Sequence, residues 1–217
     1  MAQPDNFGFG EEAALLKESA RKFFTDNFAT GKLHKMVATD CRPERMSSCD
    51  WDRALWTQMV DLGWTALAVP ESVGGLGMPV VAVAGLVEEV GRAAFPCPLL
   101  ATLNATYVLG ACGGGGEAAL AEIAGGFTAS LAITNREGSW SLADTDVQCA
   151  QGTLNGTAWF VQDARKVDRL LVSARSTAGL ALYWVATDAV GVTLVPDAIV
   201  DLTRDQAHVR FDNVQAS

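Results

Sequence analysis

The sequence predicts an α+β protein, with a helical domain over residues 1–127 and a β-barrel or sandwich domain over 128–217. Three observations predict it. Apolar residues recur at helical spacing as far as residue 124, most plainly in 11–28 and 51–62. From Thr128 onward, short apolar or alternating runs are separated by turn residues, with no helical stretch between them. Between the two lies 62–94, LGWTALAVPESVGGLGMPVVAVAGLVEEVGRAA, which reads in succession as a helix end, a turn, a glycine-rich corner and a second helix.

The first helix spans 11–28, with Leu16, Ala20, Phe23 and Phe24 on one side and Glu12, Lys17, Glu18, Arg21 and Lys22 on the other. Glu11 and Glu12 suit the positive end of its dipole. Residues 29–48 are mixed and polar and contain Pro43, so they read as a connection that wanders between helices. Asp50 is the expected N-cap of a helix over 51–62, whose Trp51, Leu55, Met59 and Leu62 share a core-facing stripe. Gly63 is placed for a left-handed helix end, and Pro70 forces Val69 into an extended conformation. Gly74, Gly75 and Gly77 allow a tight corner, and Pro79 suits the first turn of the next helix. That helix begins with an apolar run from Val80 to Val87, which predicts burial on every side at its start. Glu88, Glu89 and Arg92 then arrive together.

Residues 93–116 carry no charge, but Pro96, Pro98, Asn104 and the glycines at 113–116 make them a poor membrane span. They read as a helix end, a proline corner, a helix over 99–110 and a glycine loop. That loop has neither the Gly-Lys-Ser/Thr ending nor the preceding strand of a phosphate-binding P-loop, so it reads as a connector. A last helix over 117–124 precedes the strands. Strands are expected at 129–134, 147–154, 157–161, 167–174, 180–186, 192–195 and 207–211. Asn155-Gly156 is the expected hairpin turn, and Ser176 to Gly179 a second break. Val209 and Phe211 alternate with His208, Arg210 and Asp212, which points His208 toward solvent or a surface partner.

Composition narrows the function. The net charge of −9 and pI near 4.6 disfavour nucleic acids and anionic membrane surfaces as partners. Five cysteines at 41, 49, 97, 112 and 149 form no CxxC pair, and with only His34 and His208 no metal-ligand spacing appears. Reduced thiols in a cytoplasmic protein are the expected state. The first residues have neither the basic region nor the apolar core of a signal peptide.

Leu62, Gly63, Trp64, Leu67, Val69, Pro70, Glu71, Gly74, Gly75 and Gly77 occur in order, and Glu88, Glu89, Gly91 and Arg92 end the next helix. This long ordered series resembles the acyl-CoA dehydrogenase family. A second block resembles it too: LAITN at 131–135, LNGTAWFVQD at 154–163 and VDRLLVSAR at 167–175. The resemblance implies a helical domain followed by a central β domain. It implies oxidation of the Cα–Cβ bond of an acyl-CoA, with FAD as cofactor and an electron-transfer flavoprotein or similar acceptor. A homo- or hetero-oligomer is implied as well. In the family, a strand ending Thr-Glu lies against the flavin, and an aromatic followed by Ile-Thr/Ser covers it and reaches N5. Carried over, the cofactor-binding candidates are Ile133, Thr134 and Asn135 on the first strand and Phe160, Val161 and Gln162 on the second.

Three positions depart from the family pattern: Asn135 for Glu, Ala158 for Lys, and Gln162 for the small hydroxyl residue. The Gly-Ser-Asp loop is absent from 136–144, REGSWSLAD, where Ser139 is an alternative hydroxyl donor. The family's C-terminal helical bundle, which carries the catalytic Glu, would begin about where this sequence stops. No catalytic base is therefore assigned here, and Glu71, Glu88 and Glu89 each read as surface or packing residues. Two functions follow. One is the N-terminal part of a flavin-dependent acyl-CoA dehydrogenase, inactive alone. The other is a non-catalytic subunit that supports a catalytic partner. The acyl group itself is not legible.

Overall fold

The computed structural model describes residues 10–38 and 50–215. Six helices come first: α1 Glu11–Asn27, α2 Thr30–Val37, α3 Arg53–Asp61, α4 Val80–Ala93, α5 Leu99–Ala111 and α6 Glu117–Ala124. Seven strands follow: β1 Ala129–Ala132, β2 Val147–Ala150, β3 Thr153–Gln162, β4 Arg169–Ser176, β5 Gly179–Ala186, β6 Val192–Pro196 and β7 Gln206–Gln215. The predicted α+β class and the order of helices before strands both hold. None of the helices among the described residues is long and apolar enough to cross a membrane.

The α1 stripe packs as its spacing demands. Ala20 and Phe24 are fully buried against Met59, Trp64, Val83 and Leu86, with Leu16 and Phe23 at the margin. Aromatic edges complete this core: Phe23 meets Trp64 at 5.0 Å and Phe28 meets Phe95 at 4.8 Å. Four local expectations are corrected. Part of the supposed connection at 29–48 is α2; the remainder, from 39, lies outside the described residues. The cap of α3 is Asp52, which accepts from the Leu55 N–H at 2.9 Å, so Asp50 is not the cap. Leu62, at the end of α3, is half exposed, and Trp56 is buried in the core instead. The apolar start of α4 is not buried all round: Ala82, Val83 and Leu86 face the core while Val80 is 62% exposed.

The glycine corner has a steric reason. A Cβ on Gly75 would sit 1.9 Å from the Val69 carbonyl oxygen, so the chain can fold back on Val69 only with glycine there.

The seven strands form one sheet. All of β4 pairs with β5 along one edge, while its other edge takes β1 at Arg169 to Val172 and β2 at Arg175. β1 and β2 thus share one position between β4 and β3, and β7 and β6 extend the sheet beyond β3. No pairing joins β5 to β6 among the described residues, so the sheet is open and sandwich-like rather than a closed barrel. Its inner face buries Val147, Leu154, Val161, Leu170, Val172, Val209 and Phe211.

The predicted hairpin turn at Asn155-Gly156 is also corrected. The β2–β3 turn is Gln151-Gly152, where both residues are left-handed (φ 52° and 76°), as a two-residue type I′ turn requires. Asn155-Gly156 lies inside β3 at a register shift against β7. A Cβ on Gly156 would stand 2.3 Å from the Asp146 carbonyl oxygen, so this glycine serves strand crossing and not the turn.

The helices meet the sheet along α5 and α6. Leu109, Leu120 and Ile123 pack on Ala129 and Leu171. Thr102 Oγ accepts from the Ala129 N–H at 3.1 Å, and the Trp56 indole N–H donates to the Gly126 carbonyl at 3.2 Å. Glu122 of α6 accepts from Arg169 at 2.9 Å and from the Trp184 indole at 3.1 Å.

Candidate flavin site

The six sequence candidates lie on two adjoining segments, the continuation of β1 and the end of β3. Beyond Ala132 the first strand continues beside β3, with the Thr134 carbonyl accepting the Trp159 N–H at 2.9 Å. Ser130 Oγ donates to the Gln162 carbonyl at 2.6 Å, which ties the two strands at the other end of the same contact. Ile133, Thr134 and Asn135 are all buried, at 9% exposure or less.

β3 carries a bulge at this point. Ala158 pairs with Val209 and Val161 with Ala207, so Trp159 and Phe160 together oppose His208 alone. Phe160 is left-handed (φ 54°) and 45% exposed, an aromatic ring held off the core by its backbone. A non-glycine residue in that region costs roughly 1 kcal/mol, so the surrounding sheet must impose it. Val161 turns into the core, and Gln162 follows at the margin. The Gln162 Nε2 is buried and has no hydrogen-bond partner among the described residues.

Two departures from the family pattern have structural readings. Asn135 closes its own loop: its Oδ1 accepts the Ser139 N–H at 2.8 Å and its carbonyl accepts the Gly138 N–H at 3.0 Å. Ala158 is 2% exposed inside the sheet core, so the position occupied by the family's Lys carries no cation here. Ser139 is also engaged, donating to Asp144 Oδ2 at 2.6 Å.

Sequence reasoning missed the groups behind the site. His208 is not aimed at solvent: its Nδ1 lies 3.0 Å from Asp197 Oδ1 and its ring stacks on Trp159 at 4.8 Å. Past Gln162 the chain turns at Asp163 (φ 52°), where two ion pairs follow: Lys166 with Asp163 at 3.3 Å, and Arg165 with Asp205. Asp163, Lys166 and Asp205 are each 2% exposed or less. Burial pushes the Asp163 carboxyl above its ordinary value, against the opposing pull of Lys166.

Asp163 also lines a cavity of about 300 Å³ on the helical side, walled by Val87, Val90, Phe95, Cys97 and Leu100. Burial pushes the Cys97 thiol up to about 12, so it is no nucleophile. On α4, Glu89 is fully buried between Arg21 and Arg92, whose guanidiniums hold it down to about 2. Both its oxygens are engaged, so it is a packing residue, as expected, and cannot serve as a base at neutral pH.

Residues 10–120 match the family model described as acyl-CoA dehydrogenase, N-terminal domain. The chain belongs to the acyl-CoA dehydrogenase family. It is 28% identical over 152 residues to acyl-CoA dehydrogenase IpdE2 of Mycobacterium tuberculosis, covering 69% of this chain and 45% of that relative. Among solved structures, a variant of the Tcur3481-Tcur3483 steroid ACAD superposes with a TM-score of 0.78 at 27% identity, covering 96% of this chain and 56% of that one. A chain of the ChsE4-ChsE5 complex of M. tuberculosis shares the fold, with a TM-score of 0.77 at 22% identity over 99% of this chain and 56% of that chain. The chain thus spans about half the length of these relatives. An acyl-CoA dehydrogenase of the same fold has been solved in complex with FAD.

The residues present fit one edge of a flavin. Phe160 offers an exposed aromatic face, and the Gln162 amide offers a buried donor whose hydrogen bonds are unmade. The loop at 136–144 offers no comparable cradle for a pyrophosphate, since Asn135, Ser139 and Asp144 are bonded to one another or to the loop backbone.

Proposed function

We propose that this chain supplies the helical and β layers of a FAD-dependent acyl-CoA dehydrogenase. The bulge in β3 carries this reading, since it leaves the Phe160 ring exposed next to Trp159, whose N–H pairs with Thr134, two residues before the unpartnered Gln162 amide. In this reading, Ile133, Thr134 and Asn135 line one side of the isoalloxazine and Phe160, Val161 and Gln162 the other. Bound flavin would accept the hydride of an α,β-dehydrogenation. The chain's own residues bind and orient. Phe160 covers the ring and Gln162 donates toward its edge. The base that takes the α proton lies outside this chain. Acyl-CoA is the substrate class and an electron-transfer flavoprotein or similar acceptor the oxidant. The chain works in an oligomer.

The test is titration of the purified chain with FAD, followed by flavin fluorescence and absorbance. Binding that Phe160→Ala and Gln162→Ala each weaken supports the reading, and no binding at millimolar FAD overturns it for this chain.

A second reading has its own support. With Asn135 turned into its loop and Ala158 in the core, two of the family's polar groups are missing from the site. A subunit that assists a catalytic partner would tolerate that. Co-purification with a flavin-bearing homologue, with no flavin on this chain, would favour it.

A further inference from the structure

We infer that the Arg165–Asp205 ion pair and the Ser130 hydroxyl are positioning elements that aim the Gln162 carboxamide into the flavin site; this rests on the flavin reading above. Gln162 is the last residue of β3, where a side chain would ordinarily be free to follow a fraying strand end. Here the backbone is held on both sides of it. Ser130, itself 1% exposed, grips the Gln162 carbonyl from β1 at 2.6 Å. The next N–H, that of Asp163, donates to the Asp205 carbonyl at 2.8 Å. Asp205, with no measurable side-chain exposure, accepts from the Arg165 N–H at 3.0 Å and the Arg165 Nε at 2.7 Å. Asp205 therefore clasps the turn at 163–165 with its backbone and its carboxylate together.

The cost of this arrangement is what makes it informative. Asp205 and Asp163 are buried carboxylates, and Asp163 sits in left-handed backbone. Buried ion pairs are poor sources of stability compared with apolar packing, and they are better explained by the geometry they enforce. The geometry enforced here is a sharp turn directly after Gln162, with the Gln162 Nε2 buried and unpartnered. A buried donor left unsatisfied costs roughly 1–3 kcal/mol, so relaxed surroundings would let the side chain rotate out to water. The clasp fixes the backbone on both sides of Gln162, and with it the direction in which the side chain leaves the strand.

The inference separates from mere structural support by a double-mutant cycle. FAD affinity of the full chain is measured by flavin fluorescence for wild type, Arg165→Gln, Gln162→Ala and the double variant. Ser130→Ala and Ser130→Ala/Gln162→Ala form a second, milder cycle, in case loss of Arg165 prevents folding. Expected is that Arg165→Gln and Ser130→Ala each weaken FAD binding on the order of tenfold in the Gln162 background. Once Gln162 is alanine they should weaken it less than twofold, a coupling of the size found for residues that act through one another. Arg165→Lys should recover part of the loss. Equal losses with and without Gln162 would overturn the inference while leaving the flavin reading intact. Wild type that binds no FAD would overturn both.

Discussion

Replacing Glu89 by glutamine should remove a pH-dependent part of the stability of the helical half. Glu89 sits on α4 with no exposure, accepting from Arg21 Nη2 of α1 at 2.8 Å and from Arg92 of its own helix. The Arg21 hydrogen bond is the largest cause that lowers its pKa, and burial opposes it. A fall from the ordinary 4.5 to about 2 corresponds to roughly 3–4 kcal/mol at most. The Arg21 and Arg92 side chains are 56% and 45% exposed, so solvent screens them, and roughly 2 kcal/mol is the better figure. Because the folded-state value is depressed, this stability is fully present above pH 4.5 and is lost as pH falls toward 2. Glutamine mimics the protonated acid at every pH. Urea denaturation followed by tryptophan fluorescence should therefore give a deficit of roughly 2 kcal/mol for E89Q at pH 7, equal to a Tm lowered by about 4–8 °C. The deficit should shrink steadily below pH 4.5 and approach zero near pH 2. A deficit that is the same at pH 7 and pH 3, or one under about 0.5 kcal/mol at pH 7, would refute the assignment of Glu89 as a buried anion bridging α1 and α4.

Three further outcomes follow from particular contacts. Gly156→Ala should destabilise by more than about 2 kcal/mol, because φ is 130° and the added methyl would meet the Asp146 carbonyl at 2.3 Å; a thermal melt within 2–3 °C of wild type would contradict that. Thr102→Val keeps the shape but removes the acceptor for the Ala129 N–H, so a loss of about 1–3 kcal/mol is expected, with hydrogen exchange at Ala129 accelerating. In native protein treated with iodoacetamide, peptide mass spectrometry should find Cys112 alkylated and Cys97 untouched until denaturant is added, since Cys112 is exposed and the Cys97 thiol is raised to about 12.

Patterns that depend on nearest neighbours along the chain were legible. The α1 stripe, the glycine corner after Pro70 and the change of period near Thr128 all follow from local sterics and burial. Errors arose where a distant segment decides. Asn155-Gly156 has the composition of a hairpin turn, yet Gly156 is required by the Asp146 carbonyl across the strand, and the turn fell to Gln151-Gly152. The apolar start of α4 looked buried all round, but α1 covers only one side of it. The site shows the same division. The placing of Thr134, Phe160 and Gln162 could be expected from the resemblance, whereas the Arg165–Asp205 pair spans 40 residues and has no periodic signature.

Asn135, Ala158 and Gln162 do not weigh equally between the two functional readings. Ala158 faces the sheet core among Val161, Val209 and Phe211, so whatever a lysine would do from that position, this chain does without it. Asn135 has exchanged any outward role for closing the loop at 135–139, and that loop also carries Ser139, bonded to Asp144. Both changes remove polar groups from the proposed site. Gln162 is different, because it keeps a buried donor and the chain invests a buried carboxylate, its arginine partner and a hydroxyl in holding its backbone. In the proposed reading, the chain meets the ring end of a flavin while other residues supply the remainder. On that reading, the chain would bind FAD weakly alone and more tightly beside the rest of its assembly.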